Sequence, residues 1–390
     1  MTAIDWNLIT LRENPFAMSP PDEPADAKWA DMANIKADYE RVLREAKGSA
    51  PSQVILVRGP VGGGKTHAAL YFSAKDRWPR QSPSVNDLHI IRVPTPKETG
   101  KPDRNFYVDV VEFITLDKVR GAVTNAIDAV GRDTARNVLQ RTMLSADLSN
   151  ALIRLSDDEN QQLLDAYFLG KCSTAELRKL RLNRNIEKTQ DYFRVLAGIF
   201  QLFIGVSESR DVENHDRVCL WLDELEDFVY FTPAQYRPFG QGLRELVDRV
   251  PYFLTVFLNF TFTSPEDFEE IELVLGKYLV DRVTENIIFG EMSDDEMLTY
   301  VSDMLQFFGT PERGNLAAVR DNAYYPFTEE SLKLILANLA RRTPRDINKR
   351  CRNTILKAFE QKLFNERTKN TIEPDFVRSV SAEELDREIG

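Results

Sequence analysis

Apolar residues along this chain follow two recurring patterns. Short, mostly apolar runs occur at Val54–Val57, Leu88–Val93, Val218–Leu222, Tyr252–Phe262 and Glu285–Phe289. Runs of that length between turn residues predict strands. Elsewhere apolar positions recur every three or four residues, as in helices that bury one face. Trp29–Glu45, with Met32, Ile35, Tyr39, Val42 and Leu43, predicts a helix before the first strand. Phe106–Val130 predicts helix with a break near Thr115. Strands alternating with helices, followed by a helical tail, predict an α/β fold: a parallel sheet with an all-helical C-terminal lid.

Residues 131–214 are helical in pattern almost throughout. A crossover between parallel neighbours takes only a dozen or so residues, so the excursion predicts a helical insertion. Its Phe193–Phe203 stretch carries an apolar face expected to pack on the core, and Leu144–Leu182 is a candidate recognition surface. Ser156–Glu159 predicts a capping box opening a helix that stops before Gly170. Ser173–Glu176 predicts another, opening a long helix through Arg178, Tyr192 and Phe203. Ser264–Asp267, Ser293–Glu296, Thr328–Ser331 and Thr343–Asp346 predict further helix starts.

The first strand runs directly into Arg58-Gly59-Pro60-Val61-Gly62-Gly63-Gly64-Lys65-Thr66-His67. Gly59 and Gly64-Lys65-Thr66 satisfy the G-x-x-x-x-G-K-S/T spacing of a phosphate-binding loop, the Walker A motif. Such a loop turns backbone N–H groups onto phosphates in conformations that side chains obstruct, and the following helix adds its positive end. Lys65 is expected at the β- and γ-phosphates and Thr66 on Mg²⁺. The chain therefore reads as nucleotide-binding.

Bulk properties narrow the setting. The net charge of −11 argues against a protein that coats nucleic acid with its whole surface. Three scattered cysteines and three scattered histidines support neither a disulfide framework nor a zinc site. The start Met1–Trp6 lacks signal-peptide character, and Phe193–Val206 and Val250–Phe262 are too short or interrupted to span a bilayer. The expectation is a cytoplasmic protein with no membrane segment.

Leu220-Trp221-Leu222-Asp223-Glu224 fits a Walker B strand, whose C-terminal carboxylates lie where ligands bind in such sheets. Asp223 is expected to hold Mg²⁺ and Glu224 to deprotonate the attacking water. Two consecutive acids suit water-activating NTPases rather than nucleotide kinases; Glu226 and Asp227 read as a solvated acidic loop. Neither an N-K-x-D nor an L-S-G-G-Q segment occurs, which counts against GTPase and ABC readings. Asn259, polar within an apolar strand, is either bonded to neighbouring backbone or a sensor between Walker B and the γ-phosphate. Arg282 is either a surface residue or an arginine finger for an adjacent subunit. Arg345 lies in the first turn of a helix, an end that favours anions, so a γ-phosphate would account for it. Arg178, Lys179, Arg181, Arg184 and Lys188 form one basic cluster. Arg341, Arg342, Arg345, Lys349, Arg350, Arg352 and Lys357 form a second; each is either a solvated face or a DNA contact.

With these motifs in this order, the chain resembles the AAA+ ATPases, especially the initiator-like branch of origin-recognition, transposition and secretion ATPases. Asn14-Pro15-Phe16 resembles that group's segment beside the adenine, Leu222-Asp223-Glu224 its Walker B, and Asn259 its first sensor. Arg341-Arg342-Thr343-Pro344-Arg345-Asp346-Ile347 is similar to its second sensor helix. The resemblance implies a P-loop ATPase core at 51–130 and 215–291. It further implies an N-terminal segment at 1–50, the insertion at 131–214 and a helical lid at 292–390. The insertion departs from simple members, and the stretch after the lid helix leaves no room for a winged-helix DNA-binding domain. Insertion and acidic charge are more similar to bacterial phage-defence or mobile-element ATPases. The expected function is binding and hydrolysis of ATP with Mg²⁺. Turnover is expected to couple to homo-oligomer assembly and to a protein partner, in a DNA transaction. The competing expectation is a nucleotide-gated switch or scaffold with little turnover that recruits an effector.

Overall fold

Seven consecutive buried residues, Arg217–Asp223, make the strand that carries the acidic pair. In the computed structural model they belong to a five-stranded parallel sheet ordered β2-β3-β4-β1-β5. The strands are β1 Gln53–Gly59, β2 Leu88–Pro94, β3 Arg217–Asp223, β4 Leu254–Thr261 and β5 Val283–Ile288. Each lies within a few residues of its apolar run. Strand β3 pairs with β2 through Pro94↔Asp223 and with β4 through Leu222↔Leu258, so its carboxyl end is held on both sides. The structure describes residues 4–48, 50–78, 87–96, 100–157, 159–207, 211, 215–261, 268–315, 317–320, 322–337, 339–365 and 370–380. The expected helix start at Ser264–Asp267 lies outside them.

The chain forms two compact units, one of residues 38–58 and 75–287, the other of residues 1–37, 59–74 and 288–390. The first holds the sheet and the helices of residues 102–204. Its core is one apolar cluster joining Val218, Leu220 and Val256 on the strands to Phe193, Leu196 and Phe200. The Phe193–Phe203 face thus packs inward, as its spacing predicts. Leu148, Leu152, Leu155, Leu164, Tyr167 and Phe168 belong to the same cluster, and the Tyr107 hydroxyl donates to the Phe168 carbonyl at 2.6 Å. Leu144–Leu182 is therefore core in large part rather than a detachable surface, although Leu144 itself is exposed.

Local sequence explains where helices break. The 102–130 segment splits into Pro102–Ile114 and Leu116–Val130 at Thr115, whose φ of 69° cannot continue a helix. Ser173 does form a capping box with Glu176, but that helix is only Thr174–Lys179, and a separate helix spans Thr189–Ile204. The stop is a two-bond C-cap: Leu182 N–H donates to Leu177 O and Arg181 N–H to Arg178 O. Arg181 has φ 55° there, where glycine is usual. Ser156 opens no helix. Its Oγ donates to Ile153 O and accepts from Arg132, and the next helix begins at Gln161. Ser293 caps as expected, and Thr343 accepts from Asp346 N–H to open Pro344–Glu360.

Helix Pro233–Arg249 meets helix Thr189–Ile204 at Gly242, where an added Cβ would lie 2.0 Å from the Phe193 ring. Gly242→Ala should lower stability by about 1–3 kcal/mol through overpacking, outweighing the better helix propensity of alanine. An unchanged urea midpoint would show that Phe193 can move aside.

The second unit joins the N-terminal segment to the C-terminal helices. Ile9, Leu11 and Phe16 share an apolar cluster with Val301, Leu305, Ile335, Ile347 and Ile355. Buried Arg313 ties them by donating to Ile9 O, Thr10 Oγ1 and Tyr325 O. Desolvation lowers its pKa to about 10, still high enough to keep the guanidinium charged near neutrality. The three cysteines are buried and free. Among the described residues, no helix is long and apolar enough to cross a membrane.

Candidate functional site

The glycine loop leaves β1 and enters helix Lys65–Phe72. Gly59 is required by contact: a Cβ there would lie 2.4 Å from Phe289 Cβ. Gly62 is required twice over, because its φ is 76° and a Cβ would meet Arg345 Cβ at 2.6 Å. Gly62 O accepts from Arg345 N–H at 3.3 Å, so the first turn of helix Pro344–Glu360 rests on the loop's backbone. Gly63 N–H donates to Pro60 O, and Gly64, at φ 104°, precedes the helix. Lys65 is buried, with Nζ 2.9 Å from both Gly59 O and Pro60 O. Val61 and the Arg345 side chain are exposed, while Thr66 and His67 are half-buried. The His67 ring bonds Lys28 O at 2.7 Å, and Trp29 packs edge-on against Tyr71.

Asn14-Pro15-Phe16 belongs to the same unit. Asn14 Oδ1 accepts from Phe16 N–H, and the Phe16 ring is fully buried among lid residues. Phe16 is thus an anchor, held further by Asn348 donating to Ala17 O at 2.8 Å. One compact unit therefore contains the glycine loop, Asn14–Phe16 and Arg345.

The acidic pair belongs to the other unit. Asp223 is 5% exposed. Its Oδ1 accepts from Asn259 Nδ2 at 3.2 Å and from Glu224 N–H at 3.1 Å. Asn259 is fully buried, and its Oδ1 has no partner among the described residues. Of the two sequence readings, bonding to neighbouring backbone gives way to a direct bond with Asp223. Glu224 takes a left-handed conformation, φ 60° and ψ 38°. Behind the pair, Trp221 stacks on Phe257 at 4.2 Å and Phe257 on Tyr39 at 6.0 Å, stiffening β3 and β4.

Two neighbours differ from what the sequence suggested. Glu226 is half-buried rather than solvated, its Oε2 accepting from Thr261 N–H at 3.0 Å. Thr95 donates through its backbone and its hydroxyl to Asp223 O. Arg282 is not among the partners of Asp223; it pairs with Asp248 at 2.9 Å. Of the second basic cluster, Arg350 is buried, Arg342 pairs with Asp294 and Lys357 with Glu360, so these seven residues are not one solvent face. Of the first, Arg184 pairs with Asp191 and the rest are exposed.

Among solved structures, the chain is similar to the Aeropyrum pernix ORC1 protein in complex with DNA. Identity is 11%, over 95% of this chain and 68% of that one, at a TM-score of 0.50. The A. pernix ORC2 protein, in ADPNP and ADP complexes, aligns at 12% identity over 94% and 70%, with a TM-score of 0.48. Drosophila ORC bound to DNA aligns at 13% over 98% and 65%, with a TM-score of 0.47. The likeness to the A. pernix ORC1 protein is one of fold. No family profile and no curated protein matches the sequence. Gly59–Thr66 follows β1 and Asp223-Glu224 closes β3, at the carboxyl ends of the strands, where ligands of open parallel sheets bind.

Proposed function

We propose that the protein binds ATP with Mg²⁺ and hydrolyses it, coupling turnover to assembly of several copies and to regulation of a partner. The observation that carries this is the phosphate loop. A strand–glycine loop–helix with a buried lysine on two loop carbonyls has the form that wraps a polyphosphate. Lys65 exchanges those carbonyls for β- and γ-phosphate oxygens, and the loop's N–H groups supply the remaining donors. Thr66 and Asp223 would each offer an oxygen to Mg²⁺, which would offset the phosphate charge. Glu224 takes the proton of the attacking water, and Asn259 orients Asp223 and reports the γ-phosphate. Arg345 answers the γ-phosphate from the lid, since its helix already bonds the loop at Gly62. The setting proposed is cytoplasmic and a DNA transaction, such as phage defence or transposition; the DNA complex of the A. pernix ORC1 protein is the motive for DNA. Residues 292–390 act as the lid and 131–214 as the insertion.

One observation favours the switch reading for an isolated copy. Arg282, the proposed finger for a neighbouring subunit, is engaged by Asp248 of its own chain. A lone protomer would then hold ATP and turn it over slowly. Phosphate release and particle mass should be measured together, with ATP, ADP and duplex DNA. Arg282→Ala is expected to keep ATP affinity and lose the assembly-stimulated part of turnover. Mixing it with Glu224→Gln protein should restore part of that activity, because one type of interface then carries both intact groups. Absence of rescue in confirmed mixed oligomers would remove the trans role. Absence of ATP binding by the wild type would remove the proposal as a whole.

A further inference from the structure

We infer that a groove on the sheet-bearing unit, walled by Leu144 and Leu273, docks an acidic amphipathic helix of a partner protein. The groove has a volume of about 820 Å³ and is lined by helices Pro233–Arg249, Phe268–Leu275 and Lys277–Val280 together with Leu144. Leu275 and Leu279 give it a buried apolar floor. Leu144 and Leu273 line it as well, yet are 64% and 51% exposed. Single surface leucines need no explanation, but two that meet at one concave site from distant parts of the chain mark an interaction surface.

Leu144 carries a second mark. It caps the end of helix Arg132–Met143 in the left-handed conformation, at φ 47° and ψ 40°. Glycine is the usual residue there, because a Cβ is strained in that conformation. The fold thus keeps a leucine at a position that disfavours it, without burying the side chain. A contact outside the chain accounts for both features.

Charge selects the occupant. Two of the lining carboxylates are already claimed, Glu245 by Arg194 and Arg249, Asp248 by Arg244 and Arg282. Arg237 and Lys277 are exposed and make no ion pair among the described residues; of the lining acids, Glu272 alone is likewise open. The open charge is therefore positive on balance, on a chain whose net charge is −11. An apolar floor with cations at its margins fits a helix that presents apolar residues at i, i+3 or i+4 and i+7, flanked by carboxylates. The leucine walls set it apart from a duplex-DNA site, where phosphate contacts dominate. Docking here needs no nucleotide, so its failure and a failure to bind ATP are separate results.

The probe is a fluorescein-labelled helical peptide of about 15 residues, with leucines along one face and glutamates elsewhere, followed by anisotropy on the full chain without nucleotide. Two counterparts carry lysine in place of glutamate, or the same composition with the leucine stripe broken. The wild type is expected to bind the glutamate peptide roughly tenfold more tightly than either. Leu144→Gly combined with Leu273→Gln should weaken that binding about 10- to 100-fold. Glycine suits the left-handed backbone and residue 273 is exposed, so an unchanged urea midpoint is expected. Arg237→Glu with Lys277→Glu should reverse the preference towards the lysine peptide, and this pair alone decides should the leucine variant unfold. No binding by the wild type, equal binding by the folded leucine variant, or no preference among the peptides would overturn the inference. Displacement of the peptide by duplex DNA would assign the groove to nucleic acid, and self-association lost in the leucine variant would assign it to a second copy. Either result overturns it as well.

Discussion

Glu224→Gln is expected to leave ATP bound and to cut its hydrolysis by about 10²–10⁴-fold, the span of a lost general base. The amide keeps the shape and left-handed backbone of Glu224 but cannot accept a proton. The ground-state contacts of ATP are assigned by the proposal to Lys65 and the loop, so affinity should stay within a few-fold. Asp223 keeps its bonds from Asn259 and from the residue-224 N–H, because neither involves the exchanged group. Single-turnover phosphate release, beside equilibrium binding of a fluorescent ATP analogue, separates the two steps. A glutamine variant hydrolysing at the wild-type rate would move water activation to another residue.

Lys65→Ala should do the reverse and weaken binding severely. The ammonium is poised on two inward carbonyls, and charge-assisted bonds to phosphate contribute about 1.5–3 kcal/mol each. Losing one or two of them weakens ATP by roughly 10- to 10⁴-fold. The variant also removes the Nζ bonds to Gly59 O and Pro60 O, so the loop itself should loosen. Titration calorimetry tests the affinity, and faster amide exchange across residues 59–64 tests the loosening. Retention of wild-type affinity would place the nucleotide elsewhere.

What the sequence made legible has a common cause. Strands and Walker segments are written in local, contiguous runs, and the sheet follows from parallel alternation. The break at Thr115 lay within a periodic pattern and was readable for that reason. Other features depend on partners distant in sequence. The stop after Lys179 uses Arg181 in a glycine-type conformation, so no glycine announces it. Ser156 has the composition of a cap, but its hydroxyl is claimed by Ile153 O and Arg132. The Leu144–Leu182 stretch looked separable because connectivity alone does not need it, and only the shared cluster shows that it fills the core. Thr95 and Asp223 are far apart along the chain and meet through the β2–β3 register. Arg282 was legible as a candidate, but its engagement with Asp248 was not.

The division of the chain into two units bears on how such a protein can diverge. Residues proposed to grip the nucleotide, Gly59–His67, Asn14–Phe16 and Arg345, fall in one; those proposed to act in its cleavage, Asp223, Glu224 and Asn259, fall in the other. How tightly the nucleotide is held and how long it survives are then inherited on different parts of the fold. Selection can lengthen or shorten the lifetime of the ATP-bound state through small changes around β2, β3 and β4 without retuning affinity. A lineage can thereby become a fast motor or a slow timer while keeping the same nucleotide cradle.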